Sequence, residues 1–143
     1  MTTMNEQSYP YNLEIISPSQ LVKTWMLRFK REVDLEEIDE DNAHLCMNLI
    51  HEERIEVDNE MFHPHGHFLT DINKANLTKE LADLIWVCYF AAHKFGLPID
   101  EVFRRVYDSN MSKLADNGEP ILREDGKILK GPNYQPAKLD DLF

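Results

Sequence analysis

The sequence predicts an all-α fold of four helices followed by an irregular C-terminal tail with a small hairpin. Apolar residues recur at helical spacing in four segments, and cap, proline and glycine signals separate these segments. Glycine is scarce, at 5 of 143 residues, and no glycine-rich phosphate loop is present, which disfavours P-loop and Rossmann enzymes. We expect one domain over residues 1–143, with a helical core over about 18–115 and a tail over 116–143.

The first helix is predicted over residues 18–31, because Ser17 and Gln20 form a capping box around a proline at the first helical position. An extended lead-in is expected before it, over residues 1–16. An acidic connection follows, and the second helix is predicted over residues 42–61.

The third helix is predicted over residues 77–95, with Thr70 or Asp71 as its cap and Gly96 just beyond its end. A fourth helix should begin near Asp100. In the tail, the Asp125-Gly126 pair between two short apolar runs predicts the small hairpin. A helical core of this size is small, so we expect the chain to form oligomers.

The chain is acidic, with 15 Lys and Arg against 26 Asp and Glu and a formal net charge of −11. Nucleic-acid phosphates would be repelled, so we expect no nucleic-acid partner. No apolar run reaches the roughly 18 residues of a membrane span, and the N-terminal sequence lacks the pattern of an export signal. Cys46 and Cys88 lie in apolar-periodic segments and are predicted to be reduced core thiols. We therefore expect a cytoplasmic protein, or one in the host cytoplasm if a phage encodes it.

Two carboxylate pairs share the spacing that places residues on one helix face: Glu53 with Glu56, and Glu80 with Asp83. The residue numbers of Glu53 and Asp83 have the same sum as those of Glu56 and Glu80. Facing residues have a constant sum in an antiparallel helical hairpin, and this sum corresponds to a hairpin that folds back near Phe68. Four converging carboxylates repel one another and suit Mg²⁺ or Mn²⁺. The alternative is a solvated acidic face, which is common in so acidic a chain.

The acids on the second and third helices, together with the segments Ser109–Leu114, Asp125–Lys127 and Lys130–Tyr134, carry a family resemblance. Over roughly residues 42–136 the chain resembles the MazG-like all-α nucleoside triphosphate pyrophosphohydrolases. It is most similar to their phosphoribosyl-ATP-pyrophosphohydrolase-like branch in phages and bacteria.

This resemblance implies a MazG-like four-helix bundle that assembles as a dimer or tetramer. It implies that Glu53, Glu56, Glu80 and Asp83 bind Mg²⁺ or Mn²⁺, and that Glu53 or Glu56 orients or deprotonates the attacking water. It also implies a set of substrate-binding residues on the first helix, the fourth helix and the tail: Trp25, Asn110, Lys113, Lys127, Lys130 and Tyr134. Lys113 follows Asn110 by three residues and is predicted to share its helix face.

The implied activity is that of a nucleoside triphosphate diphosphatase, which converts an NTP or dNTP to the monophosphate and pyrophosphate. Candidate substrates include dGTP and GTP. The alternatives are hydrolysis of phosphoribosyl-ATP or another nucleotide, or a non-catalytic acidic helical module that docks a basic partner.

A His-x-His-x-His tract at His63, His65 and His67 lies between the second and third helices. Imidazoles at this spacing could bind a softer divalent metal such as Zn²⁺, Cu²⁺ or Ni²⁺. A solvated loop is the alternative, and we favour it from the sequence because a flexible loop gives its ligands no support.

Overall fold

The computed structural model describes residues 16–143, and these residues contain four α-helices and no strand. The helices are α1 (Pro18–Arg28), α2 (Glu40–Met61), α3 (Lys74–Lys94) and α4 (Ile99–Met111). The predicted all-α class is confirmed. The predicted extended lead-in lies outside the described residues except for Ile16. One compact unit of the chain ends at Leu97, and the other comprises Pro98–Phe143.

Helix α1 begins as predicted, with a complete capping box. The Gln20 backbone N–H donates to Ser17 Oγ at 3.2 Å, and the Ser17 N–H donates to Gln20 Oε1 at 2.9 Å. The helix ends three residues earlier than predicted. Lys30 adopts a left-handed φ of 52°, which stops the helical hydrogen-bond ladder.

The starts of α2 and α3 differ from the predictions because other side chains cap them. Asp39 accepts from the Asn42 N–H at 2.9 Å, so α2 begins two residues earlier than predicted. The prediction that Thr70 or Asp71 caps α3 is wrong. Asn73 accepts from the Asn76 N–H at 3.0 Å and starts the helix there.

Helix α3 packs against both α1 and α2 and so forms the centre of the first unit. The most buried side chains of this core are Val22, Met26, Cys46 and Phe90. Cys46 is thus a core thiol, as predicted. The same prediction for Cys88 is wrong, because this residue lies on the exposed face of α3.

The end of α3 anchors the connection between α1 and α2. The backbone N–H groups of Asp34 and Leu35 donate to the carbonyls of His93 and Lys94 at 2.8 and 2.9 Å. Gly96 follows with φ of +61°, and a Cβ there would lie 3.2 Å from the Asp34 Cα. Glycine is therefore favoured at this position both by conformation and by space.

The second unit consists of α4 and a tail that folds back on it. Arg105 Nη2 bonds Asp141 Oδ2 at 2.8 Å, and Ser109 Oγ donates to the Gln135 carbonyl at 2.8 Å. At the predicted hairpin, an isolated antiparallel bridge pairs Leu122 with Ile128.

Among the helices of residues 16–143, none combines the length and the apolar character that crossing a bilayer requires.

Candidate metal centre

The α2–α3 hairpin brings the predicted acids together. Glu53, Glu80 and Asp83 each offer an oxygen, and these three oxygens lie within 4.8 Å of one another. Glu56 lies close enough to Glu80 and Glu53 for their charges to raise its pKa. Three of the four predicted acids thus converge, and Glu56 lies beside them. Their roles as metal ligands remain a prediction.

The point where the chain folds back differs from the prediction. Phe62 pairs with Phe68 in an isolated antiparallel bridge, so the turn centres on His65 and not on Phe68. The prediction assumed a symmetric hairpin. Helix α2 runs up to the bridge at Phe62, whereas five residues separate Phe68 from the start of α3 at Lys74, so the connection is asymmetric.

Glu53 and Glu56 lie in an environment that disfavours their ionisation. Burial raises the pKa of Glu53, and the neighbouring charges of Asp83 and Glu80 raise it further. The contact with Glu80 is the largest cause that raises the pKa of Glu56. The cluster thus holds more negative charge than its surroundings compensate.

Lys79 supplies part of the missing positive charge. Its Nζ lies 2.7 Å from Asp83 Oδ2 and 3.2 Å from Glu80 Oε1. These contacts raise the pKa of Lys79 above its usual range. Lys79 was not among the predicted site residues, although its position beside Glu80 and four residues before Asp83 indicates that it can reach both acids.

The donor set fits a hard divalent cation. All the converging ligand atoms are carboxylate oxygens, which Mg²⁺ and Mn²⁺ prefer. Glu53 Oε2 is buried and has no hydrogen-bond partner among residues 16–143. A buried charged oxygen without a partner is costly, and a cation would provide the partner that this atom lacks.

An aromatic cavity of about 490 Å³ lies beside the cluster in the same unit. It is lined by Leu49, one turn before Glu53 on α2, and by Trp86, one turn after Asp83 on α3. Trp25 also lines it, with its ring 5.7 Å from that of Trp86 in an edge-to-face arrangement. Trp25 was predicted from the sequence as a substrate-binding residue, and Trp86 was not. The three-residue spacing between Asp83 and Trp86 indicates that these two residues share a face of α3.

The remaining predicted substrate-binding residues belong to the second unit. Asn110 is exposed on α4, and Lys130 lies 4.5 Å above the Tyr134 ring. The Lys127 backbone N–H donates to Asp125 Oδ1 at 3.2 Å. Their contacts with a substrate remain predictions.

Helix α4 ends at Met111, short of Lys113, but the Lys113 N–H donates to the Asn110 carbonyl at 3.2 Å in a turn that continues from the helix. That the two residues share a face remains a prediction. Ser112 caps the helix, and its Oγ accepts from the Gln135 N–H at 2.8 Å. Lys113 lies in the following turn, where its carbonyl accepts from the Gly131 N–H at 3.0 Å. The tail therefore fixes the backbone position of this lysine.

A family model described as phosphoribosyl-ATP pyrophosphohydrolase matches residues 24–110, which is more than half of the chain. The match contains Trp25, all four acids of the cluster and Asn110, and it ends before Lys113 and the tail. A search of curated proteins finds no match to this chain.

Proposed function

The chain belongs to the phosphoribosyl-ATP pyrophosphohydrolase family, and we propose that it is a metal-dependent nucleoside triphosphate pyrophosphohydrolase. It would convert an NTP or dNTP to the monophosphate and pyrophosphate. The observation that carries this proposal is the convergence of Glu53, Glu80 and Asp83 within 4.8 Å. One of the glutamate oxygens is buried and has no partner in the described part of the chain.

Glu53, Glu80 and Asp83 would hold the cation, with Glu56 beside them. A bound Mg²⁺ or Mn²⁺ supplies charge neutralisation for the phosphate oxygens and acidifies a water molecule. In the reaction, the water oxygen forms a bond to phosphorus, and the bond from that phosphorus to the leaving phosphate oxygen breaks. Glu56 or Glu53 would accept the proton of the water.

The aromatic cavity would take the nucleobase. Trp25 and Trp86 offer ring surfaces for stacking, and their position next to the acids places a base within reach of a phosphate chain at the cluster. Lys94 lines the same cavity as a buried cation, with its Nζ 3.6 Å from Glu32 Oε2. Its ammonium can donate a hydrogen bond to an acceptor on the base, and the O6 and N7 atoms of guanine in dGTP or GTP are such acceptors.

The basic and polar residues of the second unit would bind the phosphates. We assign this role to Asn110, Lys113, Lys127, Lys130 and Tyr134, because lysine ammonium groups neutralise phosphate charge. Lys130 is already held over Tyr134, a contact that limits the freedom of its side chain.

Phosphoribosyl-ATP is the second candidate substrate, and the description of the matching family favours it. Both substrates present a base, a ribose and a phosphate chain to the same acids. They differ in the phosphoribosyl group attached to the adenine base, so a direct comparison of the two separates the candidates.

We also propose that the protein acts as a homo-oligomer, a dimer or tetramer. Large apolar side chains remain exposed on all four helices, including Met47 at 61%, Ile85 at 55% and Phe103 at 66%. Exposed apolar area of this kind marks protein–protein interfaces. Sedimentation analysis should find a mass that is a multiple of 16.8 kDa, and a monomer at working concentration would contradict the proposal.

A substrate screen tests the proposed activity. The protein is incubated with Mg²⁺ and each of the common NTPs and dNTPs or phosphoribosyl-ATP, and the products are identified by ³¹P NMR. We expect pyrophosphate and a monophosphate, with the highest kcat/KM for a guanine nucleotide. Trp25→Ala should mainly raise KM, because it removes a stacking surface. Absence of pyrophosphate from every substrate, with a folded protein, would favour the non-catalytic binding module.

A further inference from the structure

The histidine tract between α2 and α3 forms an ordered turn. The His63 N–H donates to the His67 carbonyl at 2.7 Å, and the Gly66 N–H donates to the His63 carbonyl at 2.8 Å. Gly66 has a φ of +83°. These features define a three-residue hairpin loop closed by a glycine in the left-handed conformation, which is a regular way to join antiparallel segments. The tract is therefore not the unsupported loop that the sequence favoured.

The hairpin places two of the histidines opposite each other. Successive residues in an extended segment point to opposite faces, so His63 and His67 share one face while Phe62 and Phe68 share the other. The two phenylalanine rings contact edge to face with centroids 5.8 Å apart, which supports the pairing. Directly opposed residues have Cβ atoms about 4.5–5.5 Å apart. His65 lies within the loop and is outside this pair.

We propose that His63 and His67 form a two-ligand chelate for a late first-row divalent cation such as Ni²⁺, Cu²⁺ or Zn²⁺. Two imidazoles at cross-strand spacing can bind one metal ion from the same side, and both residues are exposed, so water can complete the coordination. Among residues 16–143, the only converging group of three potential ligands is the carboxylate cluster. The histidine site is thus a pair, and its nitrogen ligands separate it chemically from the oxygen ligands of that cluster.

Calorimetric titration of the full chain with NiCl₂ tests the proposal. Excess MgCl₂ is kept in the buffer so that Ni²⁺ does not report on the carboxylates. We expect one Ni²⁺ per chain, and His63→Ala or His67→Ala should weaken its binding by at least about tenfold, since even the partners that orient metal ligands contribute that much. The conservative variants His63→Gln and His67→Gln should give the same loss, which guards against misfolding of the alanine variants.

Two histidines serve as matched controls. His65→Ala alters the same loop without touching the pair, and His51→Ala removes an exposed histidine of α2. Both variants should bind Ni²⁺ as the original protein does. Binding that survives the loss of His63 or His67, or that falls equally in His65→Ala, would overturn the paired site. Circular dichroism of each variant confirms that the helices are intact.

Discussion

The acidic cluster should destabilise the metal-free protein, so Glu53→Gln should make it more stable. Two unit charges 4.8 Å apart repel by about 0.9 kcal/mol at the dielectric constant of water and by about 3.5 kcal/mol at an effective value of 20. The lower of these two repulsion energies applies, because carboxyls in such a cluster take up protons and so relieve part of the repulsion. A gain of about 1 kcal/mol corresponds to a rise in Tm of roughly 3 °C for a chain of this size.

Thermal unfolding followed by circular dichroism measures this effect, first in EDTA and then with Mg²⁺. In EDTA, Glu53→Gln should melt at a higher temperature than the original protein. Addition of Mg²⁺ should raise the Tm of the original protein more than that of Glu53→Gln, because a cation stabilises the native state more the more tightly it binds. Glu60→Gln makes the same charge change on α2 outside the cluster, and its Tm should equal that of the original protein both in EDTA and with Mg²⁺. A lower Tm for Glu53→Gln in EDTA, or an equal gain from Mg²⁺ in both proteins, would refute the reasoning.

Three further predictions concern pH, the phosphates and the end of α3. The folded-state pKa values of Glu53 and Glu56 are raised from 4.5, so the metal-free protein should lose stability as pH rises from 4.5 through those values. Denaturant titrations at several pH values measure the free energy of unfolding, and an increase in that free energy over this pH range would contradict the prediction. Lys113→Ala should lower kcat/KM by about a hundredfold with an unchanged Tm, since the lysine is assigned to the phosphates; lowered stability with unchanged kinetics would remove it from the site. Gly96→Ala should cost about 1–2 kcal/mol of unfolding free energy from its left-handed backbone alone, and more from crowding against the α1–α2 connection. Gly118→Ala, at φ of +80° with nothing near the new Cβ, is the control for the backbone effect, and an equal loss in both variants would exclude crowding.

Local chemistry explains which parts of the fold could be predicted. The capping box at Ser17 involves residues three apart, so the sequence contains everything that determines it. The start of α3 was missed because Thr70, Asp71 and Asn73 can all cap a helix. The choice among such residues depends on how the connection packs and not on any one of them.

The convergence of the acids could be predicted because helical spacing and antiparallel pairing are regular. The bond that the Gln135 N–H donates to Ser112, just after α4, could not be predicted because Gln135 lies 23 residues from Ser112 in sequence. Pairing of His63 with His67 was also hidden, since it depends on backbone hydrogen bonds within the loop. Contacts that close over long separations, or that need a specific turn, leave little trace in residue patterns.

The most direct test of the proposed chemistry is pyrophosphate release from dGTP with and without a divalent cation. Purified protein is assayed in excess EDTA and then after addition of Mg²⁺ or Mn²⁺ above the chelator concentration, with Glu80→Gln in parallel. Glu80 belongs to the cluster of converging carboxylates, so its loss should prevent the activity from returning. We predict no turnover in EDTA, recovery with either cation in the original protein, and little recovery in Glu80→Gln. Full pyrophosphate release in excess EDTA would contradict the assignment of these acids to a catalytic metal centre.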